Sequence, residues 1–203
     1  MKLEQTNRII IKIGSALLFN ETSGSLNKEW LNSLAEDVKY LRENDKEVII
    51  VSSGAIAMGA KDLDLDMKNM KMDMNQAVSA VGQIHLMGSF KSAFEKNEIK
   101  ISQILLTLDD TEQRRRSINA RRTIDTLLKL GIVPVVNEND TIATSEIRYG
   151  DNDRLASRVA QITSADCLIL LSNINGLYSA DPSTDEDVKL INKVSEIDKD
   201  IEK

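Results

Sequence analysis

Between Val135 and Arg154 the chain carries two clusters of carboxylates and carboxamides, Asn137-Glu138-Asn139-Asp140 and Gly150-Asp151-Asn152-Asp153. The first ends an apolar run that begins at Gly131, and the second opens a helical pattern. Such side chains supply fixed donors, acceptors and negative charge, the set needed to hold a small charged metabolite and a metal-bound phosphate. Two further apolar runs end in small residues, at Lys12-Ile13-Gly14-Ser15 and at Ser52-Ser53-Gly54-Ala55. Glycine lets ligand atoms approach backbone N–H groups closely, and at a helix start those groups cradle phosphate or carboxylate. Lys12 could bring an ammonium to the same point and stabilise a transferring phosphoryl group. Asp140 could pair with a substrate ammonium, with Asn137 and Asn139 supporting its loop. In the second cluster, one aspartate is expected to cap the helix and one to orient a lysine or a metal. The amide of Asn152 would then contact substrate.

Scarcity excludes other chemistry. The single histidine (His85) and single cysteine (Cys167) rule out zinc sites built from several such ligands, and any serine triad would need His85. His85 falls in a helical pattern of small and apolar residues, where a packed or partly exposed histidine is the default. Cys167 falls in an apolar run, where a small buried hydrophobe is expected. The net charge is −6 and aromatics make up 3% of the 203 residues, which argues against nucleic acid as a partner. No apolar run reaches the ~18 residues of a membrane helix, and the first residues lack a signal-peptide core, so a cytoplasmic setting is expected. Gly54-Ala-Ile-Ala-Met-Gly59 opens like a phosphate-binding P-loop, but Ala60 stands where that motif needs lysine. The arginines at 114–116, 121 and 122 are expected to form a solvated helix face or a subunit contact.

These residues must be held by regular elements. Five β-rich runs stand out, at Arg8–Ile13, Glu47–Ser52, Lys100–Thr107, Ile132–Asn137 and Asp166–Ser172. Leu31, Leu34, Val38 and Leu41 mark a helix with Asn27 as N-cap and Asn44-Asp45 as its stop. Ala77, Ala80, Val81, Ile84, Met87 and Phe94 suggest a second apolar stripe. A third helix runs from Ile118 to Leu130 and ends at Gly131, and a fourth carries Leu155, Val159 and Ile162. Residues 141–149 suggest a small hairpin near the pocket. Apolar strands alternating with helices predict an α/β three-layer sandwich, with a mostly parallel central sheet and helices on both faces. Ligands in such sheets bind beyond the carboxyl ends of the strands. Pro134, inside one apparent strand, argues against a central place for that strand.

Together these segments resemble the amino acid kinase family. The likeness rests on Ile11–Ser15, Val51–Ala57, Asn137–Asp140 and Gly150–Asp153, and continues through Leu170–Asn173 and Gly176–Pro182. The pair of Asn-Glu-Asn-Asp and Gly-Asp-Asn-Asp motifs resembles the branch that acts on glutamate rather than on acetylglutamate, aspartate or UMP. The resemblance implies ATP-dependent phosphorylation of the L-glutamate γ-carboxylate, with Mg²⁺ on the phosphates, as the first step of proline synthesis. It implies that Lys12 stabilises the phosphoryl group with backbone N–H groups at Gly14 and Gly54, and that Asp153 orients catalytic lysines. Ser53, Asp140 and Asn152 would hold glutamate. Lys12, Ser172, Asn173, Tyr178, Asp181 and Pro182 would serve ATP, and Asp151 would act through magnesium or loop support. Proline as feedback inhibitor and a homo-oligomer, dimer or tetramer, are implied too. The family usually has aspartate in place of Asn173. Its later glycine-rich segment, with a second lysine, has no counterpart before Lys203. Residues 1–203 are therefore expected to be one kinase domain lacking its C-terminal nucleotide-site segment, with no appended PUA domain. The alternatives are a sibling small-metabolite kinase and a non-catalytic glutamate- or proline-binding module.

Overall fold

The computed structural model describes residues 2–20, 25–68, 70–143, 152–182 and 188–197. The chain divides into two compact units, Met1–Leu171 and Ser172–Lys203.

In the first unit, β1 (Arg8–Ile13), β2 (Glu47–Val51), β3 (Ile101–Leu106), β4 (Val133–Glu138) and β5 (Cys167–Leu171) form one parallel sheet in the order β3-β4-β2-β1-β5. Helices α1 (Ser15–Leu18), α2 (Lys28–Glu43), α3 (Ala55–Asp62), α4 (Met72–Glu95), α5 (Leu108–Glu112), α6 (Arg114–Lys129) and α7 (Asn152–Thr163) alternate with the strands. Strand β1 sits where the chain order reverses, with β2 on one side and β5 on the other. Open α/β sheets bind ligands at such a crevice.

Side chains alternate across each strand, and this decides what covers each face. Ile9, Ile11 and Ile13 pack with Leu34 and Val38 of α2 and with Phe90 and Phe94 of α4. Ile10, Ile49 and Val136 pack instead with Ile124 of α6 and with Leu155 and Val159 of α7. Each fully buried phenylalanine contributes about 1.5–3 kcal/mol by leaving water. Lys12 shares the parity of Ile10 and therefore leans toward the α7 side. That placement is the first condition for its chemistry.

Local signals act as the sequence suggests. The Asn27 side chain accepts from the Trp30 N–H and starts α2, which stops at Asn44. Gly131 (φ +72°) follows the last turn of α6. Arg114, Arg115 and Arg122 are exposed, while Arg116 pairs with Asp110 at 2.9 Å and Arg121 lies 3.6 Å from Asp125. His85 lies exposed on α4, 3.2 Å from Asp62. Cys167 is half-buried and packs against the core.

Two expectations need correction. Pro134 does lie in a central strand, because the β2–β4 ladder begins only at Ile50 opposite Val135. The Val133 N–H donates to Lys100 on the β3 side. Strand alternation therefore turns the Pro134 nitrogen toward β2, just before pairing there starts. On α4 the proposed stripe is only partly the buried face: Phe94 is buried and Val81 and Met87 are half-buried, but Ala77 and Ala80 are exposed and Ile84 is 74% exposed. The buried face runs instead through Val78, Gly82, Leu86 and Phe90, with polar Ser79 and Gln83 among them.

Gly82 explains that rotation. A Cβ on Gly82 would lie 1.8 Å from the Ala55 carbonyl oxygen, and one on Gly59 would lie 1.9 Å from that of Val78. Helices α3 and α4 touch backbone to backbone, so the second glycine of the P-loop look-alike serves packing. Gly82→Ala is expected to lower stability by about 1–3 kcal/mol, because backbone cannot yield as a side chain can. A fall in the urea midpoint, with an unchanged slope, checks it.

In the second unit, Tyr178 and Leu190 form an antiparallel bridge. The Ser179 N–H donates to Lys189 (2.9 Å) and the Ile191 N–H to Leu177 (2.7 Å). Gly176 (φ +149°) permits the turn, since a Cβ there would be strained and 3.3 Å from Leu190. Ser172 and Asn173 are exposed, with Ser172 Oγ 3.4 Å from Asn173 Oδ1.

Candidate active site

The carboxyl ends of β1, β2 and β4 and the start of α7 are tied into one constellation. Lys12, 6% exposed, forms an ion pair with Asp153 in the first turn of α7. Ser53 Oγ donates to the Ile13 carbonyl across 3.1 Å, joining the ends of β2 and β1. Asn152 Nδ2 donates to the Ser52 carbonyl and, across 2.9 Å, to Asn137 Oδ1. Asn137 Oδ1 also accepts from the Glu138 N–H at 2.9 Å. These bonds hold buried amides in fixed orientations, as a preorganised site requires.

The bonds also define what each group can still offer. Both donors of Asn152 are engaged, so its carbonyl oxygen is the atom it can turn to a ligand, which suits an ammonium. Asn137 presents the opposite case. Its Nδ2 is buried and finds no hydrogen-bond partner among the described residues. A buried donor left unmatched costs about 1–3 kcal/mol, so an acceptor supplied by a ligand would restore it. The sequence put Asn137 in a supporting role, and the signal available there was only its place at a strand end.

Gly54 takes a left-handed φ of +95° as N-cap of α3, and a Cβ there would lie 2.5 Å from the Phe19 ring. Glycine is thus required twice over, by backbone and by neighbour. The expectation for Gly14 needs correction. Its N–H donates to the Leu171 carbonyl at 3.0 Å, extending the β1–β5 pairing, and is not available to a phosphate. The N–H groups of Ser15 and Ala16 come next in the chain, while that of Leu17 already donates to the Gly14 carbonyl at 3.1 Å.

Asp140, 8% exposed, is pushed up to about 7 by burial, with the neighbouring Glu138 adding to it and a hydrogen bond from Ser79 opposing it. A carboxyl raised on folding keeps its proton in the native state at pH values where the unfolded chain has lost it. Stability of the ligand-free chain should therefore fall as pH rises from about 4 to about 7. Urea midpoints should show that decline for the natural sequence, and Asp140→Asn should flatten it. An equal slope in both would contradict the assignment.

Asp151 and the hairpin proposed over 141–149 lie wholly or mostly outside the described residues. Ser172, Asn173, Tyr178, Asp181 and Pro182 belong to the second unit. Among the described residues no group of three or more His, Cys, Asp or Glu side chains could hold a metal ion. No helix among them is long and apolar enough to cross a membrane.

The fold and the sequence have relatives. A 59% identical protein from Pelagibacter ubique named glutamate 5-kinase aligns over 100% of this chain and 55% of its own length. One from Ruegeria of the same name is 52% identical, over 98% of this chain and 54% of its own. The chain thus spans about half the length of the curated relatives it matches. Among solved structures, isopentenyl phosphate kinase of T. acidophilum superposes with a TM-score of 0.60 at 16% identity, covering 90% of this chain and 77% of that one. UMP kinase of Bacillus anthracis gives 0.57 at 14% identity, covering 91% and 72%. At such identities they show the shared fold alone. The profile of the amino acid kinase family matches residues 7–202. The chain belongs to the amino acid kinase family.

Proposed function

We propose that this chain serves ATP-dependent phosphorylation of the γ-carboxylate of L-glutamate, the glutamate 5-kinase reaction. The observation that carries the reading is the Lys12–Asp153 ion pair, joined through Asn152 to the hydrogen-bonded ends of β2 and β4. The relatives named glutamate 5-kinase, at 52% and 59% identity, supply the substrate.

In this reading Asp140 and the Asn152 carbonyl oxygen receive the α-ammonium, and Ser53 contacts the substrate beside them. A γ-carboxylate oxygen attacks the γ-phosphorus of ATP in line. The P–O bond to the β-phosphate breaks, and ADP leaves with the electron pair. Negative charge spreads over the transferring group, and the Lys12 ammonium meets it without reorganising. Asp153 keeps that ammonium in place, Asn137 Nδ2 offers its unmatched proton to an anionic oxygen, and Gly54 opens the cradle at α3. Mg²⁺ would be brought by the nucleotide and would screen the charge of its phosphates.

Ser172, Asn173, Tyr178, Asp181 and Pro182 are proposed to serve ATP alongside Lys12, on the resemblance of their segment. That residues 1–203 act as one kinase domain is proposed likewise, supported by the family match to both units. Proline is proposed to compete at the Asp140 subsite because it too is an α-amino acid. A homo-oligomer in the cytoplasm, without nucleic-acid or membrane partners, completes the proposal. An ADP-release assay with glutamate, acetylglutamate, aspartate and UMP tests the substrate. Release with glutamate alone is expected, and preference for another acceptor would make the chain a sibling kinase.

A further inference from the structure

The turn that carries Asp140 is anchored at both ends by glutamines of one helix. Gln76 and Gln83 lie seven residues apart on α4, two turns along the same face, or about 10 Å. Gln76 Nε2 donates to the Ala143 carbonyl at 3.1 Å and Gln83 Nε2 to the Glu138 carbonyl at 3.4 Å. Between these anchors the chain closes on itself. The Ile142 and Ala143 N–H groups donate to the Asn139 carbonyl at 3.2 and 3.1 Å, and Thr141 Oγ1 donates to Asn139 Oδ1 at 2.6 Å. Strand pairing explains the use of a side chain at Glu138. The Val136 carbonyl accepts from the Ser52 N–H, and alternation turns the Glu138 carbonyl the same way, past the end of β2. Gln83 stands where a strand neighbour would have been. Because that carbonyl can only accept, Gln83 presents its nitrogen there and its oxygen to Gln103, whose Nε2 donates to it at 3.1 Å.

We propose that Gln76 and Gln83 are positioning residues for amino-acid recognition, which together fix the Asn139–Ala143 turn and so the direction in which Asp140 meets the substrate ammonium. This rests on the glutamate reading above. Asp140 is 8% exposed and sits between the two anchors, so its carboxylate goes where the backbone of the turn goes. Glutamine suits the task because its amide donates without bringing a charge that would compete with the ammonium. Gln83 is 7% exposed, and a buried amide keeps its place only with its bonds made. The helix is itself held: Gly82, one residue from Gln83, meets the backbone of Ala55 directly after Gly54. One helix therefore sets the Asp140 turn and the Gly54 cradle at a fixed separation, matched to an acceptor whose ammonium and reacting carboxylate lie at opposite ends.

Calorimetric titration of L-glutamate into the full chain, with amide hydrogen exchange on the same samples, tests this. Gln76→Met and Gln83→Met nearly keep the side-chain volume and remove the donor. Each should weaken glutamate binding about tenfold and speed exchange of the Ile142 and Ala143 amides about tenfold, with the amides of β1 and β2 unchanged. The double variant should weaken binding by less than the product of the two effects, because losing either anchor already frees the turn. Gln103→Leu, at an exposed position, removes only the group that orients Gln83 and should weaken binding about threefold. It carries the test should Gln83→Met not fold. Unchanged affinity in Gln76→Met and Gln103→Leu, or exchange that rises equally throughout the sheet, would overturn the positioning role while leaving the glutamate reading intact. Absence of glutamate binding by the natural sequence would overturn both.

Discussion

Lys12→Ala is expected to lower kcat for glutamate-dependent ADP release by at least about two orders of magnitude, while the chain stays folded. The size follows from losing one preorganised charge at a developing anion, about 2.7 kcal/mol of transition-state stabilisation. The folding half of the statement follows from exposure. Asp153 has a side chain that is 51% exposed, so once the ammonium is gone the carboxylate can turn its paired, buried Oδ1 towards water at modest cost. The KM for glutamate should change little, because the groups assigned to hold it are Asp140, Asn152 and Ser53. Steady-state kinetics and an urea melt check both halves. A variant with near-natural kcat would remove Lys12 from the chemistry.

Asp153→Asn should be as damaging to kcat but should also cost stability, and that asymmetry is the informative part. Here the buried partner survives: the Lys12 side chain is 8% exposed and would keep its charge with no carboxylate facing it. Breaking a pair from the exposed side leaves an uncompensated buried charge, costing about 1–3 kcal/mol after discount for the solvent at Asp153. The carboxamide also no longer holds the ammonium over the transferring group, so kcat should fall by at least about two orders of magnitude. A stability equal to that of Lys12→Ala would contradict the burial argument. Natural turnover would contradict the orienting role.

Much of this architecture was legible because local chemistry and tertiary placement agree. The five strands fall within a residue of the apolar runs, since each run is bounded by polar or small residues that leave the sheet. That Lys12, Ser53, Asn152 and Asp153 would come together was legible because parallel strands all end on one side. Helix α4 was not. Its buried face is chosen by Gly82, which lets α3 approach, and by Gln83, which reaches a loop more than fifty residues later in the chain. A search for apolar periodicity selects Ala77, Ala80 and Ile84 instead, and misses contacts that only the fold creates. The Gly14 N–H misled for a similar reason. Its acceptor, Leu171, belongs to a strand that joins the sheet last in sequence. The unmatched Asn137 donor is invisible without knowing where Asn152 spends its own protons.

These strand ends are proposed to transfer a phosphoryl group to a carboxylate. Incubating the protein with ATP, Mg²⁺, L-glutamate and hydroxylamine tests it most directly, because hydroxylamine displaces phosphate from an acyl phosphate to leave a stable hydroxamate. Glutamyl γ-hydroxamate is expected to form in step with ADP and to be abolished by Lys12→Ala. ADP release without hydroxamate, or hydroxamate undiminished in that variant, would contradict it.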